Sequence, residues 1–392
     1  MLLYKQSVRT MTVVASSLLR FIAKLFAVLC VLQLGWLLVV NRRVPWFRGA
    51  ASSLILRSQR VGGGQETPGE GRGEGEAWTT MLMTNWPRTS AEPVRVLARM
   101  NSEGGGTERR NGTSAASEMC PDFPPALLGP MNVQVSSTPS LESVSQSNPL
   151  VSPGGSYRPD GCLAQQRVAV VIPFRARERH LALLLKQLHP MLQRQQAHYS
   201  VYVVTQAGNG IFNRAKLMNV GYVEALRDAS FDCFIFSDVD LIPLDDRNLY
   251  RCGEQPQHLT VAVDKFDFRL PYLQSFGGVS ALSRAQFKTI NGFSNLYWGW
   301  GGEDDDFFRR TVASGMHVAR PRAGIGRYTM VKHKADAHNE PNPQRFNLIR
   351  RAVSRMKWDG LNSLHYLLVK RTMSPLYTNL TVNIGGPQGS RL

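Results

Sequence analysis

Between Tyr297 and Asp306 the chain reads Tyr-Trp-Gly-Trp-Gly-Gly-Glu-Asp-Asp-Asp. Two indoles, four carboxylates and three glycines are poor core material and good material for a site. Gly299, Gly301 and Gly302 let backbone approach a ligand closely. The faces of Trp298 and Trp300 are of the kind on which sugars stack. Among Glu303, Asp304, Asp305 and Asp306, mutual repulsion raises the pKa of at least one, which suits proton transfer near neutral pH. A plainer reading, a solvated acidic turn in which Asp305 and Asp306 favour a helix start through its dipole, leaves both tryptophans without a role.

A second acidic pair, Asp238 and Asp240 around Val239, follows directly on the apolar run Cys233-Phe234-Ile235-Phe236. Hard carboxylate oxygens at a strand end suit Mg²⁺ or Mn²⁺ bridging diphosphate oxygens, against the alternative of a β-turn with Asp caps. Upstream, Pro173-Phe174-Arg175-Ala176-Arg177 sets two arginines close enough to face one diphosphate. Phe212-Asn213-Arg214 puts a third at a helix start. Taken alone, either is as well an ordinary surface pattern.

The elements that carry these residues follow from the apolar pattern. Val168 to Ile172 is a continuous apolar run stopped by Pro173, which predicts a buried strand. Leu181, Leu184, Leu185, Leu188 and Leu192 recur at helical spacing, with a break or kink expected at Pro190. Val201–Val204 predicts a second strand, Ala215 to Leu226 a second helix, and Cys233–Phe236 a third strand. This alternation predicts an α/β class with a largely parallel sheet and the ligand site beyond its carboxyl ends.

In front of this body the composition changes twice. Phe21 to Val40 is apolar over the length a bilayer requires, with a short basic segment 1–20 before it. A cleaved signal peptide fits less well, because no small-residue cleavage site precedes Arg42 and Arg43. From 41 to 119, Gly, Ser, Arg, Glu and Pro dominate, predicting a flexible stem ahead of a folded domain over 120–392. The net charge of +17 would suggest nucleic acid, but residues 1–65 carry nine Lys or Arg and no acid, leaving +8 for the rest. That modest excess serves an anionic small substrate better than a nucleic-acid footprint. Cys120, Cys162, Cys233 and Cys252 form an even set with no Cys-x-x-Cys pair, which favours two disulfides over zinc. Asn111-Gly-Thr113 and Asn379-Leu-Thr381 are acceptable glycosylation sequons, consistent with a lumenal body and a cytosolic amino terminus.

From Cys120 onward the chain resembles the animal β-1,4-galactosyltransferase family, Golgi-anchored nucleotide-sugar transferases of GT-A type. The residues that carry the resemblance stand in family order: Pro173–Arg177, Phe212–Arg214, Asp238–Asp240, Phe276–Gly278, Trp298–Asp306 and Asn339-Glu-Pro-Asn-Pro-Gln-Arg345. The resemblance implies a single-pass type II Golgi membrane protein. It also implies that Arg175, Arg177, Phe212, Arg214 and Val239 hold a UDP-sugar donor, with Pro173, Phe174, Ala176, Asn213, Lys265, Ser275, Trp300, Lys334 and Ala335 around them. Mn²⁺ would be ligated by Asp240, Met330 and His333; a thioether on so hard an ion is one that residue chemistry alone would not suggest. Trp300 would ride a loop that closes over the donor, the stretch from Val331 to Arg351 rearranging with it. Tyr272, Gly302, Glu303, Asp304, Asp305, Arg345 and Phe346 would contact a terminal N-acetylglucosamine of a glycoprotein or glycolipid. Asp304, with Glu303 beside it, would take the proton from its 4-hydroxyl in an inverting transfer of galactose. Cys120 would pair with Cys162 and Cys233 with Cys252. An α-lactalbumin-like partner or a homodimer is left open.

One position departs from the family. Gln274-Ser275-Phe276-Gly277-Gly278 carries serine where galactose-transferring members have a tyrosine lining the donor-sugar pocket. Family members with smaller residues there transfer N-acetylgalactosamine, so relaxed or switched donor use is the alternative activity. A membrane-tethered lectin without catalysis is a further alternative, and the intact Asp240, Asp304 and His333 speak against it.

Overall fold

A computed structural model describes residues 118–334 and 336–387. The expected tail and span, the stem but for its last two residues, and the Asn111 sequon lie outside them. Among the described residues no helix is long and apolar enough to cross a membrane.

After a short helix α1 (Leu141–Gln146) and strand β1 (Ser156–Tyr157), the expected alternation begins with β2 (Arg167–Phe174), α2 (Glu178–Arg194), β3 (His198–Gln206), α3 (Arg214–Asp228) and β4 (Cys233–Ser237). There follow β5 (Leu241–Pro243), β6 (Gln257–His258), β7 (Ala262–Val263), β8 (Val279–Ser283) and α4 (Arg284–Thr289). The chain continues through α5 (Glu303–Ala313), β9 (Arg327–Met330), α6 (Arg345–Arg350), α7 (Ala352–Arg355), β10 (Leu367–Met373) and β11 (Thr378–Asn383).

The main sheet has the order β10-β11-β3-β2-β4-β8-β6, with β1 added on β3. Its centre, β11-β3-β2-β4, is parallel as expected. The sheet as a whole is mixed: β8 runs antiparallel to β4, β6 to β8, and β10 to β11. No crossover helix separates β4 from β8, and β10 and β11 form a hairpin, so neither return is parallel. A three-stranded sheet, β5-β9-β7, stands beside it.

β2 is buried on both faces because each face meets a helix. Val168, Val170 and Ile172 pack under Leu181, Leu184, Leu185 and Leu188 of α2. Ala169 and Val171 pack with Leu217, Met218 and Val220 of α3 and a cluster of phenylalanines on the opposite face. Neither proline ends its element. β2 runs through Pro173 to Phe174, because its pairing with β4 has ended at Val171 and the missing N–H interrupts no ladder on that side. α2 runs through Pro190 to Arg194, held by the burial of Leu188, Met191 and Leu192.

The disulfides are Cys120–Cys162 and Cys233–Cys252. The second anchors the start of β4, whose far end delivers Asp238 and Asp240. Asn379 of the second sequon lies within β11, its Oδ1 accepting from Thr205 Oγ1 at 2.7 Å.

Candidate active site

A cavity of about 420 Å³ opens at the carboxyl ends of β2 and β4. Pro173, Arg175 and Arg177 enter it from β2, Phe212 and Arg214 from the start of α3, and Asp238, Val239 and Asp240 from β4. Lys265, Tyr272, Trp300, Gly302, Glu303, Asp304, Asp305, Met330, His333, Arg345 and Phe346 complete most of the wall. Residues from segments far apart in sequence are thus brought to one place.

Arg214 is held at the first turn of α3 by Asn213, a buried N-cap whose Oδ1 accepts from Lys216 N at 2.9 Å and whose Nδ2 donates to Asn295 O at 2.8 Å. From there the guanidinium reaches Asp238 Oδ1 at 2.5 Å through Nε and Glu303 Oε1 at 3.4 Å through Nη1. Asp238 is therefore the anchor of an arginine that also faces the acidic run.

That run opens α5, with Gly302 as N-cap at φ +97°, a conformation that favours glycine. Glu303 is recessed in the wall and its Oε2 has no partner. Burial first, then the neighbouring Asp304, push its pKa up to about 7, against the pull of Arg214. Asp304 is raised by burial and by Asp305, again opposed by Arg214. Tyr272 faces this pair, and burial with the charges of Asp304 and Asp305 holds its phenolic proton on. Asp306 behaves differently: it is fully buried and pairs with Arg310, Arg355 and the Tyr297 hydroxyl. Only three of the four adjacent acids face the cavity.

The corner expected to hold the metal is made by strand pairing. Leu241 of β5 is registered with Met330 of β9, and Val331 N donates to Asp240 O at 2.8 Å. His333 Nε2 then lies 3.2 Å from Asp240 Oδ2. Its Nδ1 is 2.9 Å from Arg177 Nη2 and 2.7 Å from Lys334 O. One tautomer donates from Nε2 to Asp240 and accepts from Arg177. The other donates from Nδ1 to the Lys334 carbonyl and leaves the Nε2 lone pair and the carboxylate free to share a cation, the arrangement a metal-bound histidine adopts. Among the described residues no group of three His, Cys, Asp or Glu could hold a metal unaided. One imidazole, one carboxylate and a thioether fit Mn²⁺ provided a ligand such as a diphosphate supplies further oxygens.

Residues 336–342 lie along the mouth. Arg177 pairs with Asp336, and Arg175 donates to Gly210 O at 2.6 Å and to Ala337 O and His338 O at 3.2 and 3.3 Å while lying over the Phe212 ring. On the other side Trp300 N donates to Glu340 O and Asn342 N to Trp300 O, both at 2.9 Å. Trp300, Phe346 and Tyr272 are 62, 64 and 42% exposed, so aromatic faces rim the acidic pocket.

Several expected residues stand behind the wall. Phe174 belongs to the core. Ala176 forms the turn between the two arginines at φ 48°. Asn213 acts through Arg214. Lys334 offers its carbonyl to His333, and Ala335 lies outside the described residues. Ser275 is buried; its N–H donates to Tyr272 O at 3.1 Å and its carbonyl accepts from Arg320 Nη2 at 2.9 Å. In the wall itself, sequence reasoning missed Asp336, Asn339, Ile349, Gly277 and Gly278 as site residues. Gly277 and Gly278 carried a signal as the glycine doublet after Phe276, and Asn339 as the first residue of the motif ending at Arg345.

A family model described as the N-terminal region of glycosyl transferase group 7 matches residues 120–253, and one described as the N-terminal domain of galactosyltransferase matches residues 257–334. The chain is 52% identical over 317 residues to β-1,4-galactosyltransferase 2 of Mus musculus, covering 76% of this chain and 86% of that protein. It is 44% identical over 381 residues to β-1,4-galactosyltransferase 1 of Mus musculus, covering 93 and 94%. A crystal structure of a Drosophila β-1,4-galactosyltransferase 7 mutant, in complex with manganese, UDP-Gal and xylobiose, is 28% identical with a TM-score of 0.49, covering 56% of this chain and 94% of that one. With both family models matching in sequence around the site just described, the chain belongs to the β-1,4-galactosyltransferase family and is a galactosyltransferase enzyme.

Proposed function

We propose that this galactosyltransferase, of GT-A type, moves galactose from UDP-galactose to the 4-hydroxyl of a terminal N-acetylglucosamine on a glycoprotein or glycolipid, with inversion and with Asp304 as general base. The observation that carries the reading is the placing of Asp304: a raised carboxyl lies between the arginines of the donor side and the aromatic rim. A carboxylate whose proton affinity is raised by burial is a stronger base than one in water, and the charge of Arg214 opposes that rise. Trp300, Tyr272 and Phe346 offer faces for a sugar, and Glu303, Asp305 and Arg345 offer hydrogen bonds to its hydroxyls. Arg175 and Arg177 would bind the diphosphate once their contacts with the 334–338 segment are exchanged for it. The Trp300 loop and that segment then keep water from the reacting carbon.

Asp240, His333 and Met330 would hold Mn²⁺. When bound, the metal neutralises charge on the leaving UDP. A tail, one membrane span and a stem before residue 120 make this a type II Golgi enzyme in this reading. The test is an assay with Mn²⁺, UDP-galactose and an N-acetylglucosamine acceptor, with the product linkage read by NMR. Asp304→Asn, which keeps size but cannot accept the proton, is expected to lower turnover about a hundredfold or more with donor binding little changed. Normal turnover in that variant overturns the base assignment, and sugar binding without turnover in the native chain favours a lectin.

A relaxed donor choice is the second reading. Ser275, buried two residues before the cavity-lining Gly277, is a smaller side chain than the tyrosine of galactose-transferring family members.

A further inference from the structure

Two aspartates and two arginines lie buried together beneath the acidic end of α5. Asp306, Arg310, Arg355 and Asp359 are 0, 0, 5 and 2% exposed. Arg310 joins both aspartates, pairing with Asp306 through Nε and reaching Asp359 Oδ2 at 3.2 Å and Asp359 O at 2.6 Å. Asp359 also accepts from Ser294 Oγ at 2.5 Å, and Asp306 from the Tyr297 hydroxyl at 2.9 Å. This much already fastens α5 to the loop before it.

Arg355 adds a connection of another kind. Its Nη1 pairs with Asp359, and its Nη2 donates both to Asp306 Oδ2 at 2.8 Å and to the backbone carbonyl of Leu348 at 3.0 Å. Leu348 belongs to α6, between Phe346 and Ile349, which line the cavity with Arg345. Asp306 is two residues from Asp304. A Cβ on Gly302 would stand 3.0 Å from Arg345 Cβ and 3.2 Å from Ile349 Cδ1, so α6 rests directly on the start of α5. One guanidinium therefore holds the helix that carries the base and the helix that carries the opposite wall.

Stability alone is a weak reason for such an arrangement. Buried ion pairs gain little over well-packed apolar side chains, and Arg355 leaves its Nε without a partner. What the fork of a guanidinium supplies is direction, two hydrogen bonds at fixed spacing to two different elements. We infer that Arg355 is a positioning residue for the acceptor: it sets Arg345, Phe346 and Ile349 in register with Asp304, although it lines no part of the cavity itself. This rests on the proposal that α6 and Asp304 share the acceptor.

The experiment compares Arg355→Met, Arg355→Lys and Phe346→Ala in the full chain. Transfer to N-acetylglucosamine and hydrolysis of UDP-galactose by water are measured, with rates expressed per UDP-binding site titrated in Mn²⁺ so that unfolded material does not count. Arg355→Met is expected to raise the acceptor KM about tenfold while donor KM and hydrolysis stay within about twofold. Arg355→Lys, which keeps the charge but loses the fork, is expected to fall between. Phe346→Ala raises the acceptor KM through direct contact. An unchanged acceptor KM in both arginine variants, or hydrolysis falling in parallel with transfer, overturns the inference. If Phe346→Ala also leaves the acceptor KM unmoved, the acceptor reading itself fails and takes the inference with it. Should Arg355→Met not fold, the lysine variant gives the same ratio of transfer to hydrolysis and decides alone.

Discussion

A methyl group on Gly277 would stand 2.7 Å from Oδ2 of Asp304. The strained atom is the end of a side chain, so the fold can absorb the methyl by letting the carboxylate turn away. Gly277→Ala is therefore expected to cost activity rather than stability. Turnover should fall by about tenfold or more, since small misplacements of a reacting group cost up to about a hundredfold, while the melting temperature moves by only a few degrees. Kinetics beside a thermal melt check this; an equal loss of both would mean that the backbone, not the carboxylate, gave way.

Glu303 makes stability depend on pH in a particular direction. Folded, it keeps its proton up to about 7, against 4.5 when free. A carboxyl raised on folding stabilises the native state below its unfolded pKa, and that contribution is lost as pH rises through the folded value. Between pH 4.5 and 7 the native protein should lose stability relative to Glu303→Gln, which has no such proton to release. Melting curves for the two across pH 4.5 to 8 test it, and parallel curves would show that Glu303 ionises freely.

His333→Ala should raise the Mn²⁺ concentration for half-maximal activity by about tenfold, because the protein offers one imidazole and one carboxylate and loses half of that pair. A metal titration of initial rates is sufficient. An unmoved midpoint removes His333 from the metal site.

Donor choice is the fourth prediction. UDP-N-acetylgalactosamine is expected to serve the native enzyme at a substantial fraction of the galactose rate, and Ser275→Tyr to suppress it. Discrimination by space is worth about 1 to 3 kcal/mol, so neither donor should be excluded outright. If the native enzyme and Ser275→Tyr reject the bulkier donor equally, the serine leaves no usable space.

The strands and helices that frame the site were legible because β2 and α2 repeat one simple pattern, apolar on every face or on one stripe. Their ends were less so. Pro173 predicts an end and Pro190 a break or kink from local chemistry, and pairing and packing from elsewhere in the chain carry both elements past them. Strand direction after β4 was not legible, since neither the two residues of β6 nor the Val-Ser-Ala-Leu-Ser of β8 announces how the chain returns. Within the site, Asp304 and Asp306 read alike as neighbours in an acidic run. Only the buried Arg310 and Arg355, which lie on one side of α5, separate a core ion pair from a cavity acid. Asp336 carried no signal, because its significance comes from Arg177, 159 positions away.

The pairing of β5 with β9 brings together Asp240 and His333, 93 positions apart. A chain emerging from the ribosome exposes Arg175, Arg177, Arg214 and Asp240 well before it can offer His333, and by then β7, β8 and α5 have been made. In the proposed reading, metal and nucleotide have no complete site on a fragment that ends before His333. On that reading, whatever stabilisation they confer would be reserved for chains that have closed the second sheet, so the ligands of the reaction would also favour the finished product of biosynthesis over its unfinished forms.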